Sequence, residues 1–217
     1  MFTKIKKVIV VCCSGALLLA ATGCTGDATP AEPTGSTSAS TPAASSSAPA
    51  PSPSPTAKPT PTPVPASSKG PAKNWPVPKM PEAAKEKSDV GIAAFTMHWF
   101  DLLEYMYVTN DTRPIKAVTR PQCEICVRSF IDPADGLAKN GAWSVGGQLD
   151  AAVTLAIAEG HSGVANFRLE REELLVYDKK AEYYGKLPGT EKPDIGALGM
   201  EYDKGWQVID LQWLDSE

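Results

Sequence analysis

Three sets of residues in this chain have the types and spacing to do chemistry. The first is Cys123-Glu124-Ile125-Cys126. Two cysteines at that spacing can cycle between dithiol and disulfide, supply half of a zinc site, or form a static bridge. A thioredoxin-type centre places the pair after a strand, where a helix N-terminus lowers the thiol pKa. Here Thr119-Arg120-Pro121-Gln122 precedes the pair, and no βαβ pattern surrounds it. A zinc site needs two further ligands, and the chain has only His98 and His161, neither at ligand spacing. The expectation is a structural disulfide that locks the turn entering a helix, with no metal and no cofactor.

The second set centres on His98. With Asp101 one turn further along, or Asp150 on a later strand, its imidazole has the makings of a general acid/base pair. Phe95, His98, Trp99 and Asp150 are the candidate pocket residues. A lone helical histidine beside Trp99 more commonly packs in a core or at its rim. The expectation is therefore a His98 without a carboxylate partner, and no catalytic residue. His161 falls in Gly160-His161-Ser162-Gly163, a turn, and is expected to face solvent. Trp99, Trp143, Trp206 and Trp213, with Phe95, Phe100 and Tyr105, read as core packing, with a pocket lining as the functional alternative. Glu170, Glu172 and Glu173 beside Arg168 and Arg171 read as a solvated strand rim.

The third set is a single residue, Cys24, in context. Lys4, Lys6 and Lys7 precede an apolar run from Val8 to Ala21, and Ala21-Thr22-Gly23-Cys24 follows. A basic flank, an apolar core of this length, small residues and then cysteine form the layout of a bacterial lipoprotein signal peptide over residues 1–23. The run is too short to cross a bilayer of about 30 Å as a helix. Cys24 is the expected lipidation site, a diacylglycerol- and palmitate-bearing N-terminus tethered to the cell membrane on its extracytoplasmic side.

The elements that position these residues follow from composition and period. Residues 24–79 are dominated by Ala, Pro, Ser and Thr and cannot bury enough apolar area to fold, so a disordered linker is expected there. Residues 80–217 are expected to fold as one domain. That domain is net acidic, which argues against nucleic acid as a partner. The expected partners are the membrane, through the anchor, and an extracytoplasmic protein or small molecule, with the domain itself a monomer.

Ser88–Asn110 reads as a helix, with Ile92, Phe95, Trp99, Leu102 and Met106 on one stripe and Ser88 or Asp89 as N-cap. Phe100, Leu103 and Tyr107 widen that stripe. Pro114, Pro121 and Pro133 each suit the first turn of a short helix. The period then changes to two. Leu149, Ala151, Val153, Leu155 and Ile157 are expected to face one side of a strand. Val164–Leu169 and Leu174–Tyr177 are extended, as one bent strand or two. Residues 179–194 read as a polar loop. Gly196–Tyr202 and Trp206–Leu214 form a hairpin around Asp203-Lys204-Gly205. The fold class is α+β, a long helix and short helices packed on a curved antiparallel sheet.

That element order resembles the NTF2-like cone, and Gly205-Trp206-Gln207-Val208 resembles the Gly-Trp-x-Val ending of many such domains. A closer resemblance is to a family of actinobacterial lipoproteins of unknown function, the domain-of-unknown-function 6318 type. It rests on Met80-Pro81-Glu82-Ala83-Ala84, Gly91, Ala94-Phe95, Thr109-Asn110-Asp111, Cys123-Glu124-Ile125-Cys126, Gly146-Gly147 and Gly205-Trp206. Asn110 stands where glycine is usual, and asparagine tolerates the left-handed backbone. The resemblance brings no activity with it. The functional expectation is a tethered, non-enzymatic binding or interaction domain. The rivals are a small enzyme using His98 with Asp101 or Asp150, and a thiol–disulfide protein using Cys123 and Cys126.

Overall fold

The computed structural model describes residues 61–214. The signal-like segment, Cys24 and the chain up to residue 60 lie outside the described residues.

Helix α1 (Asp89–Thr109) is the element on which the domain is assembled. It starts where Ser88 turns extended and its Oγ accepts a hydrogen bond from Gly91 N–H at 3.1 Å. It stops where Asn110 adopts the left-handed conformation, φ 55°, with its N–H donating to the Met106 carbonyl. Between those caps Ile92, Phe95, Trp99, Leu102, Leu103 and Met106 are all buried. Short helix α2 (Arg113–Lys116) carries Pro114 in its first turn.

Of the other two proline expectations one is corrected. Pro121 lies in the turn ahead of α3 (Glu124–Cys126), outside any helix. Pro133 does sit in the first turn of a short helix, closed at Gly141. Segment α3 runs through a π turn (Val127–Ile131) straight into α4 (Asp132–Asn140). A proline ring clashes with the carbonyl four residues back in a regular helix. The wider π turn, closed by Asp132 N–H on the Val127 carbonyl, precedes Pro133 and relieves that clash.

Seven antiparallel strands follow: β1 (Trp143–Gly146), β2 (Leu149–Glu159), β3 (Ser162–Arg171), β4 (Leu174–Tyr177), β5 (Tyr183–Leu187), β6 (Asp194–Tyr202) and β7 (Trp206–Leu214). They form two sheets, ordered β1-β4-β5 and β2-β3-β6-β7, where one curved sheet was expected. The division is a kink in a single long ladder. Gly146 pairs with Leu174, Leu149 pairs with Arg171, and the register is continuous between them. Gly147 N–H donates to the Glu173 carbonyl and Glu172 N–H to the Gln148 carbonyl across the junction. Gly146 and Gly147 have φ 83° and 77°, a backbone that turns the ladder and that side-chain-bearing residues avoid.

Strand β2 overturns part of its sequence reading. Leu149, Ala151 and Val153 pack on the core, but Leu155 and Ile157 are 49% and 46% exposed, and Ala156 and Ala158 pack inward instead. The pairing register shifts between Val153 and Leu155. A bulge inserts one unpaired residue there and exchanges the two faces of the strand beyond it. β2 is also a sheet edge, and α1 covers it with carboxylates: Asp89 accepts Ala158 N–H at 2.8 Å and Glu104 accepts Leu149 N–H at 3.0 Å. Strand β5 lies inside the stretch that reads as a polar loop.

The ordered chain also begins earlier than residue 80. Val64 pairs with Lys73 and Ser67 with Gly70 in a small antiparallel turn. The buried Trp143 donates its indole N–H to the Ser67 carbonyl at 2.8 Å. Removing the residues up to 74 orphans that N–H at a cost of about 1–2 kcal/mol. A melting temperature lower by about 3–8 °C is the expected result. Coincident melts would mean the turn contributes nothing.

Candidate functional site

Cys123 and Cys126 are bonded, with Cα atoms 5.2 Å apart. The segment before them joins the edge of β7: Arg120 N–H donates to the Val208 carbonyl, and Val208 N–H donates to that of Val118. Cys123 then starts α3, its carbonyl accepting Val127 N–H. Both residues are fully buried in the core cluster that holds Phe130 and Ile131. A disulfide sealed from solvent offers no sulfur for exchange with another thiol, and this one closes the turn by which the segment beside β7 enters α3.

His98 lies on α1 and is 3% exposed. Its Nδ1 is buried without a hydrogen-bond partner. Burial lowers the imidazole pKa, and the Asp101 carboxylate, one turn on, partly restores it through charge alone. Asp150 is engaged elsewhere, by the Arg168 guanidinium at 3.5 Å. Phe95 and Trp99 are wholly buried, and Trp99 donates its indole N–H to Thr119 Oγ1 at 2.9 Å with Phe100 and Phe130 edge-on to its ring. The candidate pocket of Phe95, His98, Trp99 and Asp150 is therefore not assembled. Its helical members belong to the core stripe, whereas Asp150 sits on the exposed side of edge strand β2. His161 is exposed in the β2–β3 turn.

The burial of His98 has a pH consequence. The native state disfavours the imidazolium, so the unfolded chain takes up the extra proton first as pH falls below about 6.5. Stability contributed by neutral His98 is complete above that pH and is lost on acidification until the lowered native value is reached. His98→Gln is expected to flatten the dependence of the unfolding free energy, measured by urea titration, on pH between 7 and 5, by up to about 1.4 kcal/mol per pH unit. An unchanged slope in the variant would assign the dependence to other groups.

The concave feature with the chemistry of a binding site lies elsewhere. A groove of about 420 Å³ runs between the C-terminal end of α1, the π turn with α4, and one face of the β1-β4-β5 sheet. Tyr107 comes from α1, Phe130 from the π turn, Leu137 from α4, Leu174 and Val176 from β4, and Leu187 from β5. Asn110 and the buried Ser144 add polar atoms, and Lys186 is the single charged side chain lining it. Burial pushes the Tyr107 hydroxyl up to about 12, against the opposing charge of the Arg171 guanidinium beside it. Arg171 donates from Nη2 to the Pro188 carbonyl at 2.9 Å, while its buried Nε has no partner. Lys186 Nζ meets Glu173 at the rim. A second groove, of about 510 Å³, is lined by Asp150, Glu170, Arg171, Glu172 and Glu173 together with Leu149 and Thr190.

Of the groove's lining, the sequence reading placed Tyr107 on the helix stripe, Asn110 at the helix stop, Pro133 in a helix first turn and Leu174 and Val176 in a strand, but it marked none of them as a site. Tyr183-Tyr184 is the local signal for β5, two strand-forming aromatics inside a polar stretch. Among the described residues, no helix is long and apolar enough to cross a membrane.

Three comparisons with known proteins bear on identity. A family model described as a family of unknown function (DUF6318) matches residues 61–212. No curated protein matches the chain. Among solved structures, the intermembrane space region of the chloroplast protein ARC6 aligns with 12% identity and a TM-score of 0.43, over 59% of this chain and 97% of that one.

Proposed function

We propose a function for a chain that belongs to the DUF6318 family of unknown function: it is a binding domain held at the outer face of the cell membrane, and its apolar groove is the binding site. The observation that carries this reading is the groove itself, lined mostly by apolar side chains with a few polar groups among them. Its walls come from three elements fixed by the core, α1, the α3–α4 run and the small sheet. Such a site is formed before a ligand arrives, which reduces the ordering cost of binding.

His98 is buried, and so are both cysteines of the pair, which favours the binding reading over the enzyme and thiol–disulfide readings. Cys24 supplies the tether as its lipidated N-terminus. The packing of α1 against β2 and β3, with helices at one end, supports reading the domain as a variant of the NTF2-like cone.

The test uses the mature chain with Cys24→Ser, which removes the lipid and keeps all other residues. Nile red, a neutral apolar dye, is expected to bind. Leu187→Asp and Leu137→Asp put a charge into the groove and are expected to weaken dye binding about tenfold or more. Leu155→Asp, on the exposed stretch of β2, is expected to leave it unchanged. Equal dye binding in all three variants would remove the groove as the site.

A further inference from the structure

The polar end of the groove has a sign. Acidic residues outnumber basic ones in the chain, 25 against 21, yet no carboxylate lines the groove and its one charged residue is Lys186. Behind Tyr107 stands a second cation, Arg171, which hydrogen-bonds the Tyr107 hydroxyl and itself lines the neighbouring groove beside Glu170, Glu172 and Glu173. Arg171 Nε–H is buried and unpartnered. Tyr107, protonated at any physiological pH, brings another O–H. Donors held away from water without an acceptor are costly, and an ionised acceptor is the strongest partner they can find. The rim pair between Lys186 and Glu173 is about half exposed at both ends. Such pairs contribute little and exchange partners readily. The remaining walls are Phe130, Leu137, Leu174, Val176 and Leu187, a surface for a hydrocarbon chain.

We propose that the groove takes an aliphatic carboxylate, its chain laid between α4 and β4 and its carboxylate turned toward Tyr107 and Lys186, with Arg171 behind them. The inference rests on the groove being the binding site and adds the class of ligand.

The test measures displacement of Nile red from the Cys24→Ser mature chain by dodecanoate, dodecanol and dodecyltrimethylammonium, each below its micellar concentration. Dodecanoate is expected to displace the dye at about one-tenth the concentration of dodecanol, and the cation to be weaker still. Tyr107→Phe and Lys186→Gln are each expected to narrow the dodecanoate-to-dodecanol ratio several-fold. The ratio is the readout, so a change in fold that alters dye affinity alone does not mimic the effect. Equal displacement by all three amphiphiles overturns the carboxylate assignment while the groove stands as an apolar site. An unchanged ratio in both variants overturns it as well, since the anion then binds elsewhere. Failure of Nile red to bind the parent chain overturns the groove reading, and this inference with it.

Discussion

A Cys24→Ser precursor is expected to lose lipid completely and to leave the membrane fraction. Signal cleavage and acylation of this kind require the thiol at the cleavage point, and serine offers no sulfur for a thioether. On the proposed reading the dependence is all-or-none, because Cys24 alone would carry the anchor. Two or more acyl chains on one cysteine contribute roughly 0.8 kcal/mol per buried CH₂, which no surface of an acidic domain replaces. Metabolic labelling with a fatty-acid analogue, followed by fractionation, checks both parts. Equal label in parent and variant would sink the lipoprotein reading. Loss of label with full membrane retention would show that a protein contact, not the lipid, holds the domain in place.

Gly91→Ala is expected to have the largest effect on stability. A methyl group at position 91 runs into the backbone oxygen and carbon of Glu86, in the turn that leads into α1. Backbone cannot rotate away as a side chain can. That same Glu86 oxygen accepts the indole N–H of the buried Trp206 at 2.8 Å, so displacing the turn also orphans a core donor. Overpacking and the lost hydrogen bond together suggest about 3 kcal/mol, or a melting temperature lower by about 10 °C. Gly136→Ala is the matched control. Position 136 lies inside α4 with open space around it, and alanine there is expected to stabilise by up to about 1 kcal/mol. If both variants melted within a degree of the parent, the close approach at Gly91 would be without energetic weight.

This contact also explains why separated motifs in the sequence form one unit. Gly91 and Gly205-Trp206 are more than one hundred residues apart, yet they meet at Glu86, directly after the 3-10 turn (Glu82–Lys85) that follows Met80-Pro81. Asn110 adopts the left-handed cap expected of it and also donates from its amide to the Ala142 carbonyl at 2.9 Å. The residues that carry the family resemblance are thus joints of the scaffold. That is a physical reason why they say nothing of a ligand.

Features governed by neighbours in the chain were legible in the sequence. Ser88 and Asn110 cap α1 because capping involves only the adjacent turn, and the stripe from Ile92 to Met106 follows from helical period alone. Asp203-Lys204-Gly205 sets the β6–β7 hairpin because a tight turn is a local choice, with Lys204 at φ 59° and Gly205 at φ 153°. Cys123 and Cys126 pair because two intervening residues bring their sulfurs together. Tertiary structure decided the rest. The bulge in β2 sent Leu155 and Ile157 outward and Ala156 and Ala158 inward, which no alternation of residue types foretold. The glycine kink at 146–147 gave a second sheet its own face, β5 extended it, and the π turn ahead of Pro133 completed the opposite wall. The groove exists only where α1, α4 and β4 converge, and two of its lining residues, Tyr107 and Lys186, are 79 positions apart. Period and spacing report what adjacent residues do. A binding site made of distant ones is set by packing, which determines which side chains remain uncovered once the core is closed.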